Sequence, residues 1–343
     1  MRLFLLLAFV VGVGIAPAGN IDAIFAPLTD AKSPGIAVLV RQNGRTVFQK
    51  AYGAGIDPTT DFRLASFTKQ FTAMGIMLLV HDGKLRYDQS ISEIFPGFPA
   101  YGKAITVHHL LTHTSGLPDY EDLMKGDTWT ATHQIQDDEV LGLLKQQTAG
   151  KFAPGTSWAY SNSGYVVLGL IVAKVSGAPF GRFLHQRIFQ PLHMSHTLIY
   201  INGKNTVPHR TYGHTRQGNH FVETDQSSTS ATQGDGGIYS NLEDLAKWDR
   251  ALDSHTLLSE AEMRPALTPV QVAKPADPVS YGFGWFLDPF EGHPRMWHTG
   301  STIGFRTVIE RFTTDKLTIV VLCNRTDLDP EKLALQAFRA LTR

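Results

Sequence analysis

Cysteine is almost missing: the 343-residue chain carries one, Cys323. A single thiol excludes an internal disulfide framework and any thiolate metal cage. Net charge is missing too, because 31 lysines and arginines are set against 31 aspartates and glutamates. That balance removes the basic footprint of a nucleic-acid binder. Beyond the N-terminus there is no long apolar run. The best internal candidate, Tyr165 to Ala173, falls short of the ~20 residues a helix needs to cross a bilayer and ends at Lys174. Also absent are a Gly-x-Ser-x-Gly elbow, a Gly-x-x-x-x-Gly-Lys-Ser/Thr phosphate loop and a dinucleotide fingerprint. What is present is 43% apolar and 18% charged, enough for a sizeable core and outside the disordered class.

The chain opens with Met1-Arg2, an apolar stretch and Ala16-Pro17-Ala18, the parts of a secretory leader. Removal of residues 1–18 is expected, which leaves a periplasmic or secreted product over 19–343 with no stable membrane anchor after cleavage.

Pro34 to Arg41 reads as a buried strand, Asn43-Gly44 as a hairpin turn and Thr46 to Gly53 as the return strand. The period then changes: Phe67, Phe71, Met74 and Leu78 share a helical face that ends before Asp82-Gly83. Helices are expected over Val107 to Thr112, Asp137 to Gln146, Gly164 to Val175, Gly181 to Phe189 and Leu242 to Leu252. Strand character returns at Tyr281 to Leu287, Thr302 to Arg311 and Leu317 to Asn324, before a closing helix from Asp329 to Thr342. The expected architecture is α+β. Both chain ends build one antiparallel sheet flanked by helices (about 19–80 plus 265–343), around a mainly helical insertion (about 81–264). The polar segments after Thr206, with His209, His214 and His220, and from Glu223 to Gly237 read as loops.

Ser66-Phe67-Thr68-Lys69 stands at the start of the first long helix, and Ser66 is the one serine with lysine three positions on. Residues i and i+3 share a helix face, so the hydroxyl and the amine are neighbours. A serine becomes a nucleophile when a neighbouring base takes its proton, and an apolar setting suits a lysine base. On the tetrad alone, a helix N-cap followed by an exposed lysine is the favoured reading. Tyr160-Ser161-Asn162 brings a phenol and a carboxamide to the start of a later helix. His298-Thr299-Gly300 is the one His/Lys-Thr-Gly triplet, and its glycine would let a ligand backbone approach closely. His108, His109 and His113 suggest a metal, but Leu110 stands where a zinc protease motif has glutamate, and a turn or packing role is expected instead.

In this order the three elements resemble the serine β-lactamase and penicillin-binding protein superfamily, most closely its class C-like branch of AmpC-type β-lactamases, DD-carboxypeptidases, D-aminopeptidases and esterases. Thr106 to Pro118, Pro154 to Tyr165 and Gly236 to Ala246 are similar to further family segments, and the second of these selects Tyr160 over Tyr200 and Tyr239. The resemblance implies a β-lactamase/transpeptidase-like fold and an acyl-enzyme on Ser66. Lys69 and Tyr160 would share the proton transfers, either one acting first. It assigns His298 to the catalytic group, Asn162 and Thr299 to substrate contacts, and the backbone N–H groups of Ser66 and Ser301 beside Gly300 to the oxyanion hole. No metal or organic cofactor is implied.

Most β-lactamases of this superfamily carry lysine where this chain has His298. A histidine is mostly neutral at pH 7 unless its surroundings shift it. The substitution favours a DD-carboxypeptidase-like peptidase or an esterase acting on small molecules or peptides, such as cell-wall D-amino-acid peptides. A class C-type β-lactamase and a penicillin-binding sensor that barely turns over are the alternatives. Arg295 and Arg306 flank the triplet, either to replace the missing cation or, more simply, in surface salt pairs. The loops at 119–138, 223–237 and 270–279 are expected to shape the pocket.

Overall fold

Asn43 and Gly44 take φ angles of 51° and 76°, the left-handed pair that closes a two-residue hairpin. They join β1 (Ile36–Gln42) to β2 (Arg45–Tyr52) where the sequence places them. This computed structural model describes residues 18–272 and 280–342, so most of the leader and residues 273–279 of the last pocket loop lie outside the described residues. The other strands are β3 (Phe62–Arg63), β4 (Leu198–Ile199), β5 (His214–Gln217), β6 (His220–Glu223), β7 (Ile238–Ser240), β8 (Arg295–Thr302), β9 (Phe305–Phe312) and β10 (Leu317–Cys323).

Five strands form one antiparallel sheet in the order β2-β1-β10-β9-β8. The two ends of the chain therefore meet at its centre, with Ile36 opposite Cys323 and Gln42 opposite Leu317. This is the expected α+β architecture, one antiparallel sheet built from both chain ends and flanked by helices. The helices are α1 (Ala18–Phe25), α2 (Lys69–His81), α3 (Ile91–Ile94), α4 (Val107–Leu111), α5 (Tyr120–Leu123) and α6 (Asp137–Lys145) in the first half. They continue with α7 (Asn162–Ser176), α8 (Phe180–Leu184), α9 (Leu242–Asp253), α10 (Glu260–Met263) and α11 (Pro330–Thr342).

β10 is buried throughout, and apolar but for Thr318, because helices cover both faces of the sheet. Ile36, Val38 and Val40 alternate onto one face, against Ile21 and Phe25 of α1 and Phe338 and Leu341 of α11. Ala37, Leu39, Val320 and Leu322 turn to the other, larger core around Phe71 of α2 and Trp248 of α9. A buried charge cluster ties α9 to the sheet. Asp249 accepts from Arg41, from Arg311 Nε at 2.7 Å and from Thr318 Oγ1 at 2.7 Å. A second small sheet, β3-β7-β4, leads the chain into α2.

Four local expectations need correction. Tyr281 to Leu287 is not a strand: Tyr281 and Phe286 bridge across a turn at Gly284, whose φ is 78° and whose Cβ, if it had one, would sit 2.8 Å from the Lys69 carbonyl. Thr302 to Arg311 straddles the β8–β9 hairpin, turned at Gly304 with φ 74°, so the His298 triplet lies inside β8. Gly181 to Phe189 is α8 widening into a π-turn at His185–Phe189. The stretch containing His214 and His220 forms the β5–β6 hairpin, and Arg325 stacks its guanidinium on Phe221 there.

Candidate active site

The chain reaches Ser66 through a strained entry. Ala65 has a φ of 51°, uncommon for a residue with a β-carbon. Flanking bonds hold the strain in place. Leu64 N–H donates to the Ile238 carbonyl at 2.8 Å, and the Leu64 carbonyl accepts from Thr307 Oγ1 at 2.8 Å. A tight turn over Ala65–Thr68 then runs into α2, which opens with Lys69. Lys69 is fully buried, so the exposed-lysine alternative does not hold. Its Nζ donates to Ser66 Oγ at 3.0 Å, Asn162 Oδ1 at 2.9 Å and the Asp235 carbonyl at 2.9 Å. All three ammonium protons are engaged.

Asn162 is the first residue of α7, whose N-cap is Ser161 through a bond from Gly164 N–H at 3.1 Å. The Asn162 carboxamide is oriented from both sides, since Oδ1 takes the Lys69 proton and Nδ2 reaches Glu121 Oε1 at 3.4 Å. Its backbone N–H donates to Asp119 Oδ2 at 3.0 Å. The Tyr160 ring centre lies 4.9 Å from Lys69 Nζ, and its hydroxyl makes no hydrogen bond among the described residues. Tyr160 leans on His113, with ring centres 4.4 Å apart. α4 ends at Leu111, so His109 and His113 share no helix face. His109 Nδ1 instead accepts from Thr106 N–H at 3.2 Å.

β8 brings the triplet to the same place. A Cβ on Gly300 would fall 2.1 Å from the Leu64 carbonyl oxygen and 2.3 Å from Thr307 Oγ1. The backbone that needs this glycine is therefore the chain's own, two residues before Ser66, rather than a ligand's. His298 is 1% exposed. Its Nδ1–H donates to the Thr299 carbonyl at 2.6 Å, and its Nε2 accepts from the Tyr281 hydroxyl at 3.1 Å. Burial, helped by the nearby Lys69 charge, pushes the imidazole down to about 3. The residue is uncharged at neutral pH and touches Tyr160 through its ring, 6.1 Å between centres. Neither flanking arginine replaces the cation. Arg295 is buried rather than at the surface and pairs with Glu310 at 3.1 Å and Asp288 at 2.9 Å. Arg306 donates to the Thr302 and Phe305 carbonyls at 2.6 and 2.8 Å.

Ser66, Asn162 and Ser301 face a cleft of about 340 Å³, together with Tyr120, Glu121 and Asp235. Lys69, Tyr160, His298 and Thr299 are not part of its wall. Sequence reasoning marked the loops that hold Glu121 and Asp235 as pocket-forming but not the residues themselves. The Asp235 carboxyl accepts from the Tyr120 hydroxyl at 3.2 Å, and burial raises it despite the opposing Lys69 charge. Partial burial and the neighbouring Asp119 and Asp235 raise Glu121 likewise. Arg63 on the same wall is committed to Ser230, through Oγ at 2.7 Å and the carbonyl at 3.1 Å. No signal in the sequence pointed to Thr307.

The Beta-lactamase family model matches residues 21–343. Penicillin-binding protein 4* of Bacillus subtilis is 30% identical over 338 residues, spanning 93% of this chain and 74% of that protein. The putative penicillin-binding protein PbpX of the same species is 31% identical over 297 residues, 84% of this chain and 69% of PbpX. A penicillin-binding protein structure from Bacillus halodurans superposes with a TM-score of 0.76 at 29% identity, covering 89% of this chain and 95% of the other. The D-amino acid amidase of Ochrobactrum anthropi SV3, complexed with L-phenylalanine, shares the fold with a TM-score of 0.78 at 22% identity, over 94% and 96% of the two chains.

Proposed function

Because the chain belongs to the beta-lactamase family of serine hydrolases, we propose that it cleaves small amide or ester bonds through an acyl-enzyme on Ser66. The proposal rests chiefly on Lys69, whose Nζ joins Ser66 Oγ to Asn162 and to the Asp235 carbonyl. With Lys69 Nζ bonded to Ser66 Oγ and lying over the Tyr160 ring, the Lys69–Tyr160 pair takes the Ser66 proton. Ser66 Oγ then bonds to the substrate carbonyl carbon. The oxyanion is met by the backbone N–H groups of Ser66 and Ser301, and the Tyr160 hydroxyl protonates the departing amine or alkoxide. In the second half Tyr160 takes a proton from water as its oxygen attacks the ester, and returns that proton to Ser66. The Asn162 Nδ2 orients the substrate from the cleft wall, while His298 supports Tyr160 from behind.

The charges of the cleft narrow the substrate. Glu121 and Asp235 stand on its wall, Lys69 and Arg63 are engaged by acceptors, and His298 is neutral. Such a cleft suits an acyl group with a free amine, as in amino-acid amides, esters and peptide N-termini. Carboxylate-bearing D-peptides and β-lactams are the second possibility, supported by the penicillin-binding relatives. The leader-like residues 1–18 support export to the periplasm or medium, to be checked by the N-terminal mass of the exported protein.

Turnover of p-nitrophenyl acetate and of aminoacyl p-nitroanilides tests the chemistry. Ser66→Ala is expected to lower kcat by at least ~10³-fold for both, and retained turnover contradicts the proposal. Acetylating the substrate amine is expected to lower kcat/KM at least tenfold in the wild type and much less in Glu121→Gln. Equal rates on free and acetylated substrates would count against the amine preference.

A further inference from the structure

His113 follows α4 in a conformation that histidine rarely adopts. Its φ is 59°, in the left-handed region that a β-carbon disfavours. Strain of this kind persists where surrounding contacts over-determine it, and at His113 those contacts converge on a single neighbour. The His113 carbonyl accepts from Ala159 N–H at 3.0 Å. Its Nδ1 accepts from Ser161 N–H at 3.1 Å. Its ring leans on Tyr160 itself, tilted by 34°. The residue before the phenol, the phenol and the residue after it are thus held by one side chain and its own backbone.

The bond from Ser161 fixes the protonation state. Nδ1 accepts only in the neutral ring, so the single proton sits on Nε2, which is buried without a partner among the described residues. Burial, with Lys69 and His298 close by, holds the imidazole well below its ordinary range. Tyr165 and Tyr281 enclose the same ring, with centres 5.1 and 4.6 Å away. The effect extends one residue further along the chain. Ser161 caps α7, and Asn162 beside it accepts the Lys69 proton.

We propose that His113 is a positioning residue for the proton transfer: its neutral imidazole and strained backbone set where the Tyr160 ring stands beside Lys69, without touching substrate. This rests on the acyl-enzyme assignment above. A misplacement of about 1 Å in a reacting group costs on the order of 10²-fold in rate, so the loss belongs in kcat rather than in KM.

Two substitutions separate acceptor from backbone. Asparagine tolerates the left-handed conformation and offers Oδ1 to Ser161 N–H, whereas glycine tolerates the conformation and offers nothing. Each variant is first checked for native near-UV circular dichroism. Steady-state turnover of p-nitrophenyl acetate and the rate of Ser66 labelling by a fluorophosphonate are then compared. His113→Gly is expected to lose about 10²-fold in kcat and in labelling rate with KM within about threefold, and His113→Asn to recover at least tenfold of that loss. Equal rates for the two variants, or a loss confined to KM, would overturn the proposal. Unaltered turnover in Ser66→Ala points elsewhere, because it removes the acyl-enzyme assignment on which this one depends.

Discussion

At Gly300 the absence of a β-carbon lets β8 lie against the turn that carries Ser66. Gly300→Ala would drive a methyl into the Leu64 carbonyl and Thr307 Oγ1, so β8 must move away from the nucleophile. The variant is expected to lose at least ~10²-fold in kcat/KM for p-nitrophenyl acetate and to melt at lower temperature, whereas wild-type kinetics would contradict this packing. Tyr160→Phe removes only an oxygen that bonds to nothing else among the described residues. It is expected to lower kcat by about 10²–10⁴-fold while the melting temperature stays within about 2 °C. Residues of this kind were legible in the sequence when a motif named them, as with Ser66, Lys69, Tyr160 and Asn162. Their surroundings were not. Nothing local to Thr307 or His113 shows that the fold carries one to Leu64 and the other around Tyr160, since those contacts join segments far apart in the chain.

Among the elements, legibility followed length. β1, β2, β10, α2, α7, α9 and α11 each run through several periods of their pattern, and their places were readable within a few residues. β3, β4 and β7 have two or three residues, too few to show a period, although β3 and β7 deliver the chain to Ser66. β8 was missed because His298, Thr299 and Ser301 break the apolar signature of a strand at the edge that borders the cleft. Attachment of α9 to the sheet rests on a group the pattern could not value. Asp249→Ala would leave Arg41 and Arg311 buried beside a void, and removing one partner from such a cluster costs about 3–5 kcal/mol. Urea unfolding measures it, and a loss below about 1 kcal/mol would show that the cluster is not what fastens the helix.

Over the whole molecule, balanced charge conceals a set of buried acids. Burial raises Asp137 to about 8, although it accepts from Gln233 N–H at 3.0 Å, and raises Asp61 to about 7. A carboxyl raised above its unfolded value of about 3.9 binds its proton more tightly in the folded chain. Its contribution to stability is complete below about pH 4 and disappears as pH rises through 7 to 8. The melting temperature is therefore expected to fall between about pH 4 and 8. Asp137→Asn, which keeps an acceptor for Gln233, should flatten that fall, and an unchanged slope would refute the assignment. Composition could not foresee such groups, because an equal count of charges says nothing about which of them are inside. The joining of both chain ends in one sheet was foreseeable, since a hairpin signal at one end and apolar strands at the other need each other for burial.

Peptide mapping of the protein quenched during turnover of p-nitrophenyl acetate tests the central claim most directly. The claim predicts an acetyl group on Ser66 that forms and decays at the rate of product release and is missing from Ser66→Ala. Turnover with no acetyl on Ser66, or with the acetyl on another side chain, would contradict it.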